Sequence, residues 1–180
     1  MSEETQDLQA APEGELEPKL PQYANPRGES LGVRDNPFGV HGTGDTSGYG
    51  QLHREVMMPG QSPKPYGGWF DDCVDYLEED LRKAGVDPLT AIDRVVVSHG
   101  ELTIHVAREH LVTVAKALRD DQDLRFELCM GVSGVHYPHD TGRELHAVYH
   151  FISVTHNHNL RIETAAPEDD PKVPSIVDIY

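Results

Sequence analysis

Histidine is the residue type that most suggests chemistry in this sequence, because 11 of the 180 residues are histidine. His156 and His158 form the best-spaced pair, since residues two apart on a strand share one face at about 7 Å. A catalytic metal needs a third ligand, and the stretch around Asn157 is also typical of an ordinary hairpin turn. His146 and His150 are about 13 Å apart on a predicted strand, too far for one zinc ion. The spacing therefore favours a chain without a metal site.

The cysteines, a glycine-flanked serine and the acidic pairs do not form a catalytic motif either. Two cysteines are too few for an iron–sulfur cluster or a structural zinc site, which usually take four ligands. Cys73 falls on the apolar face of a predicted helix, where an inert buried thiol is usual. Ser133 lacks the Gly-x-Ser-x-Gly spacing of a nucleophile elbow. Solvated acids are common at helix ends and in loops, which is where the sequence places Asp71-Asp72, Asp120-Asp121 and Asp169-Asp170. We predict no catalytic residue.

The charge of the chain limits its partners. Asp and Glu number 31 against 15 Lys and Arg, which gives a formal net charge of −16. Nucleic-acid binding needs a basic face, so a nucleic-acid partner is not expected. An anionic lipid surface would repel the chain, so a membrane location would have to come through a partner. The first residues lack the pattern of a signal peptide, and no apolar run approaches the ~20 residues of a membrane span.

The first third of the chain has the composition of an arm. Residues 1–68 contain 8 of the 13 prolines and 11 of the 16 glycines. Such a segment buries too little apolar surface to offset the entropy of ordering, which predicts an extended or disordered acidic arm. The glycine-rich stretch 39–50 within it lacks the preceding strand and the Lys-Ser/Thr pair of a phosphate loop.

A folded domain is predicted from Trp69 onward, over residues 69–166. Apolar spacing predicts helices at 69–84 and 111–118. Alternating or β-branched runs predict strands at 92–98, 101–106, 124–132, 145–155 and 160–164. The fold class is therefore α+β, with one mixed or antiparallel sheet of about five strands and two helices on one face, after a long irregular N-terminal arm. Because strand 145–155 is apolar on both faces, either a partner or the N-terminal arm is expected to cover the second face.

Six stretches follow one another in a specific order in the second part of the chain, namely Arg108-Glu109-His110-Leu111, Leu118-Arg119-Asp120-Asp121, Leu124-Arg125-Phe126-Glu127-Leu128, Val148-Tyr149-His150-Phe151, Asn157-His158-Asn159-Leu160-Arg161 and Pro174-Ser175-Ile176. In this order they resemble the C subunit of bacterial respiratory complex I, the 30-kilodalton-subunit family, and the acidic, glycine-rich N-terminal arm resembles its actinobacterial form. The resemblance implies a non-catalytic structural subunit of the peripheral arm of proton-translocating NADH–quinone oxidoreductase, on the cytoplasmic side of the cell membrane. It also implies that this chain binds no cofactor, while the complex uses FMN, iron–sulfur clusters, NADH and quinone.

The resemblance further implies the partners of the chain, which are other peripheral-arm subunits and chiefly the large subunit next to the quinone site. Residues 167–180 would begin a C-terminal extension that binds this partner. The family's Glu-Arg-Glu and Phe-Gly motif does not appear before the last residue, Tyr180, so we expect a fragment or a truncated gene. The candidate partner contacts are His136, Tyr137, Tyr149, His150, His158, Asp170, Pro171 and Pro174.

Two functions of other classes stay open at this point. A free-standing histidine-rich metal-binding or small hydrolytic protein would use the histidines, and would retain about one metal ion per chain through His156 and His158. A general interaction module would instead recruit partners through the arm, and would lose them on deletion of residues 1–60.

Overall fold

The computed structural model describes residues 28–35 and 53–180, and the fold is that of these residues. The strands are β1 (Glu29–Asp35), β2 (His53–Met58), β3 (Ile92–Ser98), β4 (Glu101–Val106), β5 (Leu128–His136), β6 (Leu145–Ser153) and β7 (His158–Ala166). The helices are α1 (Trp69–Lys83), α2 (Pro88–Ala91) and α3 (Leu111–Asp120), with a 3₁₀ turn at Arg108–His110. The predicted α+β class is confirmed.

The main sheet has five strands in the order β3-β4-β7-β6-β5. The pair β4 and β7 is parallel and the other three neighbouring pairs are antiparallel, so the sheet is mixed. The last strand in the sequence therefore lies in the centre of the sheet. In the registers, Ile104 is opposite Ile162, and Leu160 is opposite Phe151. All four side chains belong to one apolar core, which places that core on a single face of the sheet.

Helices α1 and α3 cover this face. Leu77, Leu81, Val114 and Leu118 recur at helical spacing and are fully buried in the same core as the strand residues. The burial of each such side chain contributes about 1.5–3 kcal/mol. At the start of α1, the carboxylate of Asp71 accepts hydrogen bonds from two preceding backbone N–H groups, at 2.8 Å each. The helix start is thereby tied to the end of the arm.

The predicted strand at 124–132 is displaced toward the C-terminus, since β5 begins only at Leu128. Leu124 and Phe126 are buried, as expected for the inward face of a strand, but they lie in an irregular segment after α3. Phe126 N donates to Leu118 O (2.8 Å) and Leu124 N donates to the carboxylate of Asp121 (3.0 Å). The two apolar side chains therefore pack against the end of α3, and among the described residues no strand pairs with this segment.

The described part of the arm contains two strands that the composition does not predict. β1 and β2 pair antiparallel in a two-stranded sheet, with Val33 opposite Glu55. The residues that follow β2 join the main fold through polar contacts. Ser62 N donates to Val95 O (2.8 Å), Val95 N donates to Gln61 Oε1 (2.6 Å), and Val97 N donates to Ser62 Oγ (2.8 Å). The outer edge of β3 is thus covered by the chain itself, through hydrogen bonds between the backbone of β3 and residues 61 and 62.

Replacement of Gln61 by alanine should lower the free energy of unfolding by about 1–3 kcal/mol, the usual cost of leaving buried polar groups unpaired. Gln61 is 2 % exposed, and its amide also donates to Tyr66 Oη at 2.9 Å. Chemical denaturation of the isolated chain measures the change. The exposed Gln122 offers a matched control, since Gln122→Ala should change stability by less than about 0.5 kcal/mol. Equal effects of the two substitutions would show that Gln61 does not anchor the arm.

Candidate functional site

A row of buried polar side chains crosses the second face of the sheet, opposite the helices. Arg94 on β3 is opposite His105 on β4, and His105 is opposite Glu163 on β7. His146 on β6 and Asp140 in the loop after β5 complete the set. These five side chains, which we call the polar row, are only 3–8 % exposed. Because charged groups are rarely buried unless they are paired, the contacts within the row decide whether this face is stable.

His146 is the centre of the polar row. Its Nδ1 lies 2.6 Å from Glu163 Oε1, and its Nε2 lies 3.2 Å from Asp140 Oδ2. A carboxylate only accepts hydrogen bonds, so both contacts are made at once when both ring nitrogens carry a proton. The edge of the Tyr137 ring meets the imidazole at a centroid distance of 4.7 Å and an interplanar angle of 73°. The imidazole therefore joins a carboxyl group of β7 to one in the loop after β5.

The other members of the polar row shift each other's protonation. Burial, and next the charge of Arg94, lower the pKa of His105 to about 3, so this ring is neutral at physiological pH. Burial by itself would raise the pKa of Glu163, but the hydrogen bond from His146 and the neighbouring positive charges outweigh it, so that the pKa lies below its ordinary value. Burial and the nearby Arg143 lower the pKa of Arg94. Within the described part of the chain, Arg94 Nε has no hydrogen-bond partner.

The loop after β5 and the N-terminal arm both lie next to the polar row. Residues 137–143 bring Tyr137 and Asp140 onto it, and Asp140 N donates to Tyr137 O at 2.9 Å. Leu31 and Val56, from β1 and β2, line a cavity together with residues 136–139 of this loop. Part of the arm therefore packs beside the second face. The arm was one of the two alternatives that the sequence offered for covering this face, and a partner was the other. The far end of the face is open instead, where His150 borders a groove.

The candidate contacts on the strands are placed at different depths. His150 is exposed on the second face, and His136 is exposed at the end of β5, with Nε2 3.8 Å from the Glu168 carboxylate. Tyr137 is half-buried against the polar row. Tyr149 is 5 % exposed and belongs to the apolar core. The strand candidates therefore do not form one continuous patch.

The candidates near the two ends of the domain lie elsewhere again. The ring of His158 stacks on that of Trp69 at 4.0 Å and 7°, which joins β7 to the start of α1. Asp170 forms an ion pair with Arg108 at 3.1 Å, whereas Pro171 and Pro174 are exposed. The structure brings Asp170, Pro171 and Pro174 together on the segment 167–180 and leaves His158 apart from them.

The best-spaced histidine pair has structural contacts. The ring centroids of His156 and His158 are 6.0 Å apart, but His156 lies in the turn before β7 and only His158 belongs to the strand. His156 Nε2 lies 3.2 Å from Gln122 O, and His158 stacks on Trp69. Among residues 28–35 and 53–180, no group of three or more His, Cys, Asp or Glu side chains is arranged to hold a metal ion. Packing accounts for both rings.

The polar row is the feature that sequence reasoning missed. Part of its signal was present, because His105 lies between the apolar residues Ile104 and Val106 on a strand. A polar residue at alternate positions of a strand usually indicates a solvated face. Only the pairing of β4, β6 and β7 shows that these side chains meet one another.

Comparison with known proteins gives the family. Residues 104–180 match the family model described as "Respiratory-chain NADH dehydrogenase, 30 Kd subunit". Three actinobacterial relatives are each named as the C subunit of NADH-quinone oxidoreductase. The relative from Nocardia farcinica is 56% identical over 171 residues, which are 95% of this chain and 66% of that protein. The relative from Streptomyces coelicolor is 56% identical over 161 residues, 89% of this chain and 64% of that protein. The relative from Nocardioides sp. is 50% identical over 186 residues, 100% of this chain and 74% of that protein.

The chain belongs to the 30 Kd-subunit family. It spans about two thirds of the length of the first two of these relatives. Solved structures are more distant, namely a chain of an archaeal membrane-bound sulfane sulfur reductase (22% identity, 59% of this chain and 58% of that chain, TM-score 0.45) and a trypsin-resistant fragment of Nqo5 (18% identity, 59% and 80%, TM-score 0.45). Membership in the 30 Kd-subunit family therefore rests on sequence. In the described part of this family member, no helix is long and apolar enough to cross a membrane.

Replacement of His146 by alanine should destabilise this family member by about 3–5 kcal/mol, because it leaves two buried carboxylates without their shared partner. His150 supplies the control, since it lies on the same strand and the same face but is exposed. His150→Ala should change the free energy of unfolding by less than about 0.5 kcal/mol. Denaturant titration of both variants measures the difference. A small effect at His146 would contradict the account of the polar row.

The stability of the chain should fall as the pH is lowered from 7 to 5, partly through His105. The pKa of His105 is about 3 in the fold against an ordinary value of 6.5, so below pH 6.5 the unfolded chain takes up a proton that the folded chain does not. The unfolding constant then rises by up to about tenfold per pH unit for this one group. The lowered pKa of Glu163 acts in the same direction, but only below its ordinary value of 4.5.

The substitution His105→Leu isolates the contribution of His105. In this variant the number of protons taken up on unfolding between pH 7 and 5 should fall by one. The pKa of His158 is also lowered, by burial and then by His156, so the wild-type slope is not due to one histidine. His150→Leu removes an exposed histidine and should leave most of the slope in place. An unchanged slope in His105→Leu would show that this ring takes up a proton in the fold.

Proposed function

We propose that this chain is a non-catalytic structural subunit of the peripheral arm of proton-translocating NADH–quinone oxidoreductase. The observation that carries the proposal is the 50–56% identity, over 89–100% of the chain, to proteins named as the C subunit of NADH-quinone oxidoreductase. In this proposal electrons pass from NADH to quinone through neighbouring subunits, which hold the FMN and the iron–sulfur clusters. The chain itself supports the geometry in which those subunits meet.

The side chains that could act in catalysis or metal binding support a structural role, because the best-placed of them make contacts that stabilise the fold. His146 joins Glu163 to Asp140 in the buried polar row. His158 stacks on the start of α1, and the thiol of Cys73 is buried with a pKa raised to about 12 by desolvation. A buried thiol with a raised pKa is a poor nucleophile and a poor metal ligand.

The segment 167–180 supports docking at a defined position, because it is tied to the domain at several points. Arg108 donates to Asp170 O at 3.0 Å, and Arg119 donates to Ile179 O at 2.7 Å. Tyr180 Oη donates to Phe126 O at 2.9 Å. Such contacts lower the entropy cost of binding a partner along the segment.

We assign the partner contacts and the organisation of the chain accordingly. In this proposal residues 1–68 are an arm, most of which lies outside the described residues, residues 69–166 are the α+β domain and residues 167–180 are the start of a partner-binding extension. The partners are other peripheral-arm subunits, chiefly the large subunit next to the quinone site. The contacts extend along Pro171 and Pro174 and reach the strand candidates His136, Tyr137 and His150. The acidic chain reaches the cytoplasmic side of the membrane through these partners.

Substitution of exposed contact residues should lower assembly and leave the chemistry of assembled complexes intact. His136→Ala and His150→Ala remove exposed side chains, and a loss of about 1 kcal/mol at such a contact corresponds to about fivefold weaker docking. The measurement is the amount of intact complex in native membranes, together with NADH–quinone reductase activity per assembled complex. Leu89→Ala, which shortens an exposed side chain on the short helix α2, is the control. A complex that assembles fully and is inactive would contradict a purely structural role.

A further inference from the structure

The two outer strands of the main sheet, β3 and β5, differ in whether their outer edges are covered. The outer edge of β3 is covered by the chain's own residues 61 and 62, through three hydrogen bonds. The outer edge of β5 pairs with no strand in the described part of the chain. The unpaired N–H and C=O groups of such an edge are a ready template for another strand.

Apart from a register shift between Cys129 and Gly131, β5 lacks the usual devices that protect a free edge. Natural edges carry charged side chains, proline or strong twists, and are often very short. β5 is nine residues long and has neither a charged residue nor a proline from Leu128 to Val135. Three of its apolar side chains are largely exposed, namely Leu128 (46%), Met130 (60%) and Val132 (55%). The strand therefore has the properties of one that is covered in the working assembly.

The surroundings of β5 define what can cover it. On the helix side, Val132 borders a groove with Pro174 and Val177, and Val177 is 72% exposed. On the second face, Met130 borders another groove with Ile152. A Cβ atom placed on Gly131 or Gly134 would meet nothing within 4 Å, so the faces of β5 are uncovered at these two positions. A strand lying along this edge would be flanked by apolar side chains on both faces.

We propose that the outer edge of β5 accepts an extended, uncharged and mainly apolar segment of a neighbouring subunit as a sixth strand of the sheet. The unpaired main chain requires an extended segment, and the apolar flanks on both faces require apolar side chains at successive positions. A second copy of this chain is disfavoured, because two chains of charge −16 would repel each other. This inference rests on the proposed function only in requiring a neighbouring subunit.

Hydrogen–deuterium exchange of the chain, alone and within complex purified from native membranes, tests the proposal. The outward-pointing amides of residues 128–136 should exchange quickly in the isolated chain and about tenfold or more slowly in the complex, as newly paired strand amides do. Equal exchange rates in β5 in both states, with the chain present in the complex, would overturn this inference and leave the proposed function intact. Absence of the chain from the complex would overturn both.

A matched pair of lysine substitutions gives a second test. Val132→Lys places a charge beside the proposed strand, whereas Val154→Lys places one in the turn after β6, where Val154 is 69% exposed. Only Val132→Lys should reduce the amount of chain in the complex, with both isolated variants unfolding at the wild-type denaturant midpoint. Equal incorporation of the two variants would overturn the proposal. So would an isolated chain that is already dimeric, with protected β5 amides that Val132→Lys exposes, because the edge would then pair with itself.

Discussion

The contact of His146 with two buried carboxylates is the interaction on which the second face of the sheet depends. A five-stranded sheet with helices on one side needs a cover on the other, and apolar residues are the common solution. In this chain Glu163 and Asp140 lie 2.6 and 3.2 Å from the two ring nitrogens. The loop that carries Asp140 is thereby held on the sheet, and β1 and β2 of the arm border the same loop. Paired polar groups, each of which needs a partner when it is buried, take the place of part of a second apolar core.

The same dependence on polar contacts extends to the borders of the domain. The arm covers the edge of β3 through Gln61 and Ser62, and the segment 167–180 is held by Arg108, Arg119 and Tyr180. These contacts use main-chain carbonyl and N–H groups. They therefore fix the path of the backbone and depend little on the amino-acid composition of the segment. The domain is consequently bordered by its own chain at the edge of β3, while no strand from residues 28–35 or 53–180 covers the outer edge of β5.

Much of the fold could be predicted from the sequence because it follows from apolar periodicity. The helices around Leu77 and Val114 and the strands around Ile104, Phe151 and Ile162 all have strong local patterns. The start of β5 was predicted too early, because Leu124 and Phe126 alternate as strand residues do and yet pack on the end of α3. β1 and β2 were missed since proline- and glycine-rich composition carries no sign of pairing over a long connection.

The site was harder to predict than the fold, because its contacts cross several strands. His146 and Glu163 are 17 residues apart, and only the β6–β7 register brings them together. Each looks like an ordinary surface residue when its strand is considered alone. Family membership was accessible without this geometry, since the ordered stretches from Arg108 to Ile176 were enough to suggest it.

The central claim is that the chain is a structural member of a multisubunit NADH–quinone oxidoreductase. Affinity isolation of the tagged full chain from native membranes, with quantitative mass spectrometry of the co-purified proteins, tests it most directly. The account predicts other peripheral-arm subunits in near-equal amounts, with FMN and iron in proportion to those subunits. A chain that is recovered alone, or with about one bound metal ion of its own, would contradict it.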